Sequence, residues 1–253
     1  KPSSAASDVY KRQSLYLPYN SAFEELDKMR KAAEESILVF GALRFDQANF
    51  LKNSLIIENK NQEPVFYDKA KLVPFGEYLP FINLKSYFKI LERSNLFGWG
   101  FKRGKGSELL SLPNGLNFIP LICYEAIFSN FLKPSVKDAD FILQITNDAW
   151  FGKSIGPQQH LAQLRIRAIE YGLPVIRVAN TGISAIIDAN GKVIKNLSVN
   201  KSGYLDSFIP SRKHSTIYGQ FGDFIFLSLI FLCVVIAFLN KKFINRKSFS
   251  EET

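Results

Sequence analysis

Cys123, Tyr124 and Glu125 stand in succession at the end of an apolar run that begins at Phe118. Helix-forming residues follow at once, so residues 118–128 read as strand, sharp turn, helix. A thiol at such a turn sits at the mouth of a sheet. There the following helix's N-terminus and any nearby cation favour the thiolate, the form that attacks a carbonyl carbon. The competing reading makes Cys123 a small buried hydrophobe, the ordinary fate of a free cysteine.

A candidate cation is Lys69, at the start of the stretch 67–80. Pro74, Gly76 and Pro80 bar that stretch from a regular helix or a central strand, so it is expected to be a shaped loop after a strand, a common carrier of functional side chains. By composition alone Lys69 could equally be a solvated strand end. The chain has two cysteines, and the second, Cys233, lies inside a late apolar run, so no disulfide is expected. With only His160 and His214 available, neither a His/Cys metal site nor a Cys–His dyad suggests itself, and the expectation is no metal and no cofactor.

These residues need a frame. A chain of 253 residues, 47% hydrophobic and 14% aromatic, can bury a full core, which excludes a disordered segment. The net charge of +9 raises nucleic acid as a partner, but the basic residues are dispersed and no zinc-finger or RNP-like spacing occurs, so none is expected. Ser21 and Glu24 form a possible capping box for a helix to about Glu35. Residues 37–40, 54–57 and 65–67 read as strands, separated by polar turns at 46–52 and 58–63. Further on, 141–145, 175–179 and 184–187 read as strands, 158–171 as a helix stopped by Gly172 and Pro174, and Asn190-Gly191 as a type I′ hairpin turn. Strands alternating with helices, then a hairpin, indicate an α/β sandwich.

Two segments fall outside this pattern. Residues 81–106 interleave aromatics (Phe81, Tyr87, Phe88, Phe97, Trp99, Phe101) with basic residues, which suits either a core with a charged rim or a loop at a lipid interface. Residues 224–239 are apolar except for Ser228 and Cys233. Extended by its flanks to 216–244, that run is read as a transmembrane helix, the alternative being a buried core helix. Lys241, Lys242, Arg246 and Lys247 after it assign the tail, 245–253, to the cytoplasm and the preceding domain to the opposite side. Residues 8–13, Asp-Val-Tyr-Lys-Arg-Gln, resemble the translation of a transposon-end adapter used in sequencing libraries. Residues 1–13 are therefore expected to be an adapter-derived artefact, with an N-terminally truncated domain over 14–215.

Several blocks, in order, resemble the apolipoprotein N-acyltransferases: Tyr67-Asp68-Lys69, then 72–80 (LVPFGEYLP), then Ile122-Cys123-Tyr124-Glu125, then 147–152 (NDAWFG) and 177–184 (RVANTGIS). The resemblance implies a nitrilase-like αββα sandwich followed by one C-terminal transmembrane helix, in a multi-pass protein of the bacterial inner membrane whose catalytic domain is periplasmic. It implies transfer of a fatty acyl chain from a phospholipid to the N-terminal amine of an S-diacylglyceryl-cysteine lipoprotein through a Cys thioester. Residue by residue it makes Cys123 the nucleophile, Lys69 the catalytic lysine, Glu77 a supporting glutamate, and Tyr124 and Glu125 active-site neighbours of the thiol. The family's general base is a glutamate in a Trp-Pro-Glu motif, which this sequence lacks, so the base is expected to lie outside this chain and the fragment to be inactive. Glu24 and Glu25 are nearest to it by position but fall in a predicted helix. Two other readings share the residues: a membrane-anchored carbon–nitrogen hydrolase (amidase), and a non-catalytic binding protein on a nitrilase fold.

Overall fold

Alternation of buried side chains along the strands sorts the chain into layers. The computed structural model describes residues 4–9, 19, 23–34, 36–60, 62–78 and 100–250, without side chains at 4–9, 23, 25 and 240–250. A three-stranded antiparallel sheet is built from β2 (Leu38–Phe45), β3 (Leu51–Asn59) and β4 (Gln62–Asp68) in that order. A six-stranded sheet has the order β10-β9-β8-β7-β6-β5, comprising β5 (Leu110–Ser111), β6 (Asn117–Ile122), β7 (Phe141–Asn147), β8 (Val175–Asn180), β9 (Ser184–Ile187) and β10 (Val193–Leu197). Its centre, β6-β7-β8, is parallel, and its flanks are antiparallel.

In β6 and β7 the odd–even period divides two cores. Ile122, Phe118, Phe141, Leu143 and Ile145 face the other sheet and meet Leu55, Ile57 and Tyr67 from β3 and β4. Ile119, Leu121 and Ile142 point the other way, against Leu164, Ala168 and Tyr171 of helix α3 (Gly156–Tyr171). Ile56 of β3 turns outward to pack with Phe40, Ala42 and Leu26, the last from helix α1 (Phe23–Ala33). Helix, sheet, sheet and helix thus stack in four layers, the αββα sandwich anticipated from the sequence. A two-stranded ribbon stands apart, β1 (Ser4–Val9) antiparallel to β11 (Gly203–Phe208).

Several expectations shift. The strand read over 37–40 runs on through Gly41, mid-strand in β2 opposite Leu55, because pairing with β3 continues to Phe45. Ser21 of the capping box and most of 81–106 lie outside the described residues. Asn190-Gly191 does not form a type I′ turn: Gly191 takes φ 75°, Asn190 stays at negative φ, and the Asp188 carboxylate accepts from the N–H groups of Asn190 (2.8 Å) and Lys192 (2.9 Å). A side-chain acceptor at the first turn position thus overrides the dipeptide preference.

The single helix expected over 216–244 is divided. A short helix α4 (Ile217–Phe221), its N-cap provided by Thr216, ends at Gly222, whose φ of 58° breaks the spiral before α5 (Phe224–Ser250) begins. Among the described residues no helix is long and apolar enough to cross a membrane. The sixteen apolar residues 224–239 rise about 24 Å, short of the roughly 30 Å hydrocarbon core. The described residues do not bury this helix either: Phe224, Phe231 and Phe238 are 73%, 71% and 71% exposed.

Candidate active site

β6 delivers Cys123 onto a one-residue kink. Ile122 is still extended (φ −110°, ψ 110°), Cys123 flips to φ 52°, and a 3-10 turn, Cys123–Ile127, follows. A positive φ is costly for a residue with a Cβ, so the surroundings must hold it there, and strain of this kind gathers at functional sites. Cys123 is half-buried.

Lys69 lies just past the end of β4, in the facing sheet, and is 2% exposed. Burial of an ammonium demands a partner. The loop supplies one: Phe75 at φ 60° lets residues 73–78 fold back on themselves, with Phe75 N–H donating to the Tyr78 carbonyl at 2.7 Å, and this returns Glu77 beneath Lys69. Both Glu77 oxygens accept from Lys69 Nζ, at 2.8 and 2.7 Å. Val73 N–H (2.8 Å) and Asn53 Nδ2 (3.2 Å) complete the carboxylate's partners. The pair therefore fixes the lysine's head in place.

Glu125 joins the two halves. Its carboxylate is fully buried and accepts from Ile122 N–H at 2.8 Å, one residue before Cys123. It also accepts from Ala70 N–H (2.7 Å) and Lys71 N–H (3.0 Å), immediately after Lys69, and from the Tyr67 hydroxyl (2.9 and 3.0 Å). One side chain thus ties the strand end bearing Lys69 to the strand end bearing Cys123. Burial pushes the Glu125 carboxyl above its usual range against the pull of these donors, and burial with the adjacent Glu125 charge raises the Tyr67 phenol far above its own. Glu125→Gln is expected to cost about 2 kcal/mol, because an amide NH2 set against these donors leaves at least one buried N–H unpaired. Chemical denaturation checks this, with Tyr67→Phe costing about half as much.

A second buried polar group lies beneath the Cys123 turn, on the α3 side of the sheet. Gln144 Nε2 donates to the Cys123 carbonyl at 3.0 Å, and His160 Nε2 lies 3.1 Å from the same oxygen. His160 Nδ1 is 3.0 Å from Asp148 Oδ1, and Arg177 donates to Asp148 Oδ2 at 2.6 Å and also to Gln144 Oε1. Burial alone would raise Asp148, but the His160 hydrogen bond and the Arg177 charge outweigh it and hold the carboxyl below the usual range. Burial pulls Arg177 below its ordinary value, opposed by Asp148. Gly182 closes over this group: a Cβ there would run into the Asp148 carboxylate.

Of the residues singled out from the sequence, Cys123, Lys69, Glu77 and Glu125 converge here. Tyr124 packs its ring edge-on to Phe128, with centroids 5.0 Å apart. Glu24 lies elsewhere, ion-paired with Lys28 on the exposed face of α1 at 2.6 Å. Sequence reasoning did not single out Gln144, and it weighed His160 only as a metal ligand or a dyad partner. Their signal was two polar residues on otherwise apolar faces, a strand and a helix that pack together. Exposed apolar residues stand at the Lys69–Glu77 loop: Phe75 within it, and Trp150 next to Gly76.

Comparison with known proteins identifies the fold and family. The carbon–nitrogen hydrolase family model matches residues 10–214. An apolipoprotein N-acyltransferase of Rhizobium rhizogenes is 40% identical over 220 residues, covering 84% of this chain and 41% of that protein. One from Rickettsia prowazekii is 43% identical over 188 residues, covering 73% and 37%. The chain thus spans about two fifths of the length of these relatives. Among solved structures, an amidase from Nesterenkonia sp. superposes with a TM-score of 0.55 at 18% identity, covering 81% of this chain and 72% of that one. A glutamine-dependent NAD+ synthetase from Acinetobacter baumannii superposes with a TM-score of 0.57 at 16% identity, covering 78% and 37%. A four-layer αββα fold and a family match over most of its length agree: this chain belongs to the carbon–nitrogen hydrolase family, and within it is similar to the apolipoprotein N-acyltransferases.

Proposed function

We propose that this chain carries the catalytic centre of an enzyme that moves a fatty acyl chain from a phospholipid to the N-terminal amine of an S-diacylglyceryl-cysteine lipoprotein. The observation that carries the reading is the Glu125 clamp, which sets Cys123 and the Lys69–Glu77 pair at one junction between the sheets. The Cys123 thiolate attacks the ester carbonyl, forming the S–C bond, and the glycerol oxygen leaves with a proton as lysophospholipid. The lipoprotein amine then attacks the thioester, loses a proton, and expels the thiolate. Lys69 and the Tyr124 backbone N–H stabilise the oxyanion of each tetrahedral intermediate. Glu77 holds Lys69 in place. The chain contains no Trp-Pro-Glu motif to supply a general base, so by itself it is expected to form thioesters with activated esters but not to turn over.

Lipid substrates are supported by the exposed apolar residues Phe75 and Trp150 at the Lys69–Glu77 loop and by α5, whose apolar surface the described residues leave uncovered. In this reading α5 extends through its flanks to span the inner membrane, with the catalytic domain periplasmic and the tail cytoplasmic. The likeness to an amidase favours one alternative, in which water ends the thioester. Labelled phosphatidylethanolamine given to the full-length protein with a diacylated lipopeptide decides between them. Label on the peptide amine is the expected result, and hydrolysis of small amides without transfer overturns it.

A further inference from the structure

The buried group beneath the Cys123 turn has no partner role in the chemistry above, yet two of its members aim at one backbone atom. Gln144, fully buried on β7, and His160, 5% exposed on α3, both reach the Cys123 carbonyl oxygen. Asp148 and Arg177 hold those two side chains in turn. That carbonyl belongs to the peptide linking Cys123 to Tyr124. A trans peptide is planar, with its C=O and N–H pointing in opposite directions. Donors that draw the oxygen down into the α3 layer therefore turn the Tyr124 N–H up, out of that layer. This N–H stands in the first turn of a 3-10 segment, where amide hydrogens have no acceptor within the turn. Hydrogen bonds accepted by the carbonyl also polarise the peptide and strengthen its N–H as a donor.

We propose that Gln144 and His160, braced by Asp148 and Arg177, are positioning residues that set the Cys123–Tyr124 peptide so that its N–H serves as the oxyanion donor for attack by Cys123. The inference rests on Cys123 being the nucleophile. It assigns a role to residues that touch neither the thiol nor the acyl group. It also explains how the φ of 52° at Cys123 is maintained: the Gln144 amide donating to the Cys123 carbonyl, with His160 Nε2 on the same oxygen, offsets the strain.

The test compares two reactions of the same thiol in this chain. With p-nitrophenyl butyrate, Cys123 sulfur bonds to the acyl carbon, the aryl C–O bond breaks and p-nitrophenolate is released as a burst, through an oxyanion. With iodoacetamide, sulfur displaces iodide and no oxyanion forms. Gln144→Met and His160→Leu, which keep bulk and remove a donor, are expected to slow the ester burst about ten- to a hundredfold. Alkylation is expected to change less than about threefold, since it makes no use of the oxyanion donor. His160→Gln, which can still donate, is expected to recover most of the burst rate. Should Gln144→Met fail to fold, the His160→Leu and His160→Gln pair gives the same comparison. Equal loss of both reactions, or loss of neither, overturns the positioning role alone. Absence of any burst in the unsubstituted chain overturns the nucleophile assignment and this inference with it.

Discussion

Cys123→Ala in the full-length protein is expected to lower acyl transfer on the order of 10^4-fold or more, the scale of losing a covalent nucleophile whose partners act as one unit. The substitution removes the sulfur and leaves the Glu125 clamp and the Lys69–Glu77 pair in place, so folding should persist. A covalent readout separates this from a general loss. An acyl phosphonate probe labels the unsubstituted protein and fails to label Cys123→Ala. Cys233→Ala, on the exposed face of α5, is expected to label and transfer normally. Equal labelling of the unsubstituted protein and Cys123→Ala would refute the assignment. A serine at 123 is not expected to rescue transfer: its hydroxyl is far less acidic than a thiol, and stabilisation by one cation does not close that gap.

Asp148→Asn is expected to cost about 3 to 5 kcal/mol at neutral pH, since it leaves the Arg177 guanidinium buried without a countercharge. For a domain of this size that corresponds to a fall in Tm of roughly 6 to 20 °C. The pH dependence gives a second check. Asp148 is held below the ordinary carboxylate pKa in the folded state, so its stabilisation is fully present above the unfolded value near about 4. It is lost as pH falls through the lowered folded value, where the protonated carboxyl resembles the amide. The stability difference between the unsubstituted chain and Asp148→Asn, measured by chemical denaturation, should therefore be flat near neutrality and shrink in acid. Glu125 contributes with the opposite sign, because burial raises its carboxyl: the native state holds that proton longer, and stability declines as pH climbs above the unfolded value. A difference that grew in acid would contradict the assignment of the low pKa to Asp148.

Layering was legible in advance because it rests on local periodicity. The runs at 141–145, 175–179 and 184–187 and the helix stopped by Gly172 appear within a residue or two of their expected bounds, as β7, β8, β9 and α3. Gly172 takes φ 64° at the helix end. Turn chemistry was less legible. The Asn190-Gly191 pair fits a type I′ turn by composition, and only the placement of the Asp188 carboxylate decided otherwise. The break at Gly222 lies in the mixed stretch 216–223 ahead of the apolar run, and composition does not record backbone dihedrals.

For the site, the sequence by itself determined the chemistry available: one cysteine at a strand end, a lysine and a glutamate in a proline-bounded loop, and no base of the expected motif. Those are properties of residue type and spacing along the chain. Only the tertiary structure decided what holds them. Glu125, read from the sequence as a neighbour of the thiol, proves to be the clamp to residues 55 and 54 positions away, and Gln144 and His160, distant in sequence, meet beneath the Cys123 carbonyl. The physical reason is that a buried carboxylate or carbonyl must find its donors wherever the packed layers bring them, and that pairing is set by the stacking of β4, β6, β7 and α3 rather than by any local pattern.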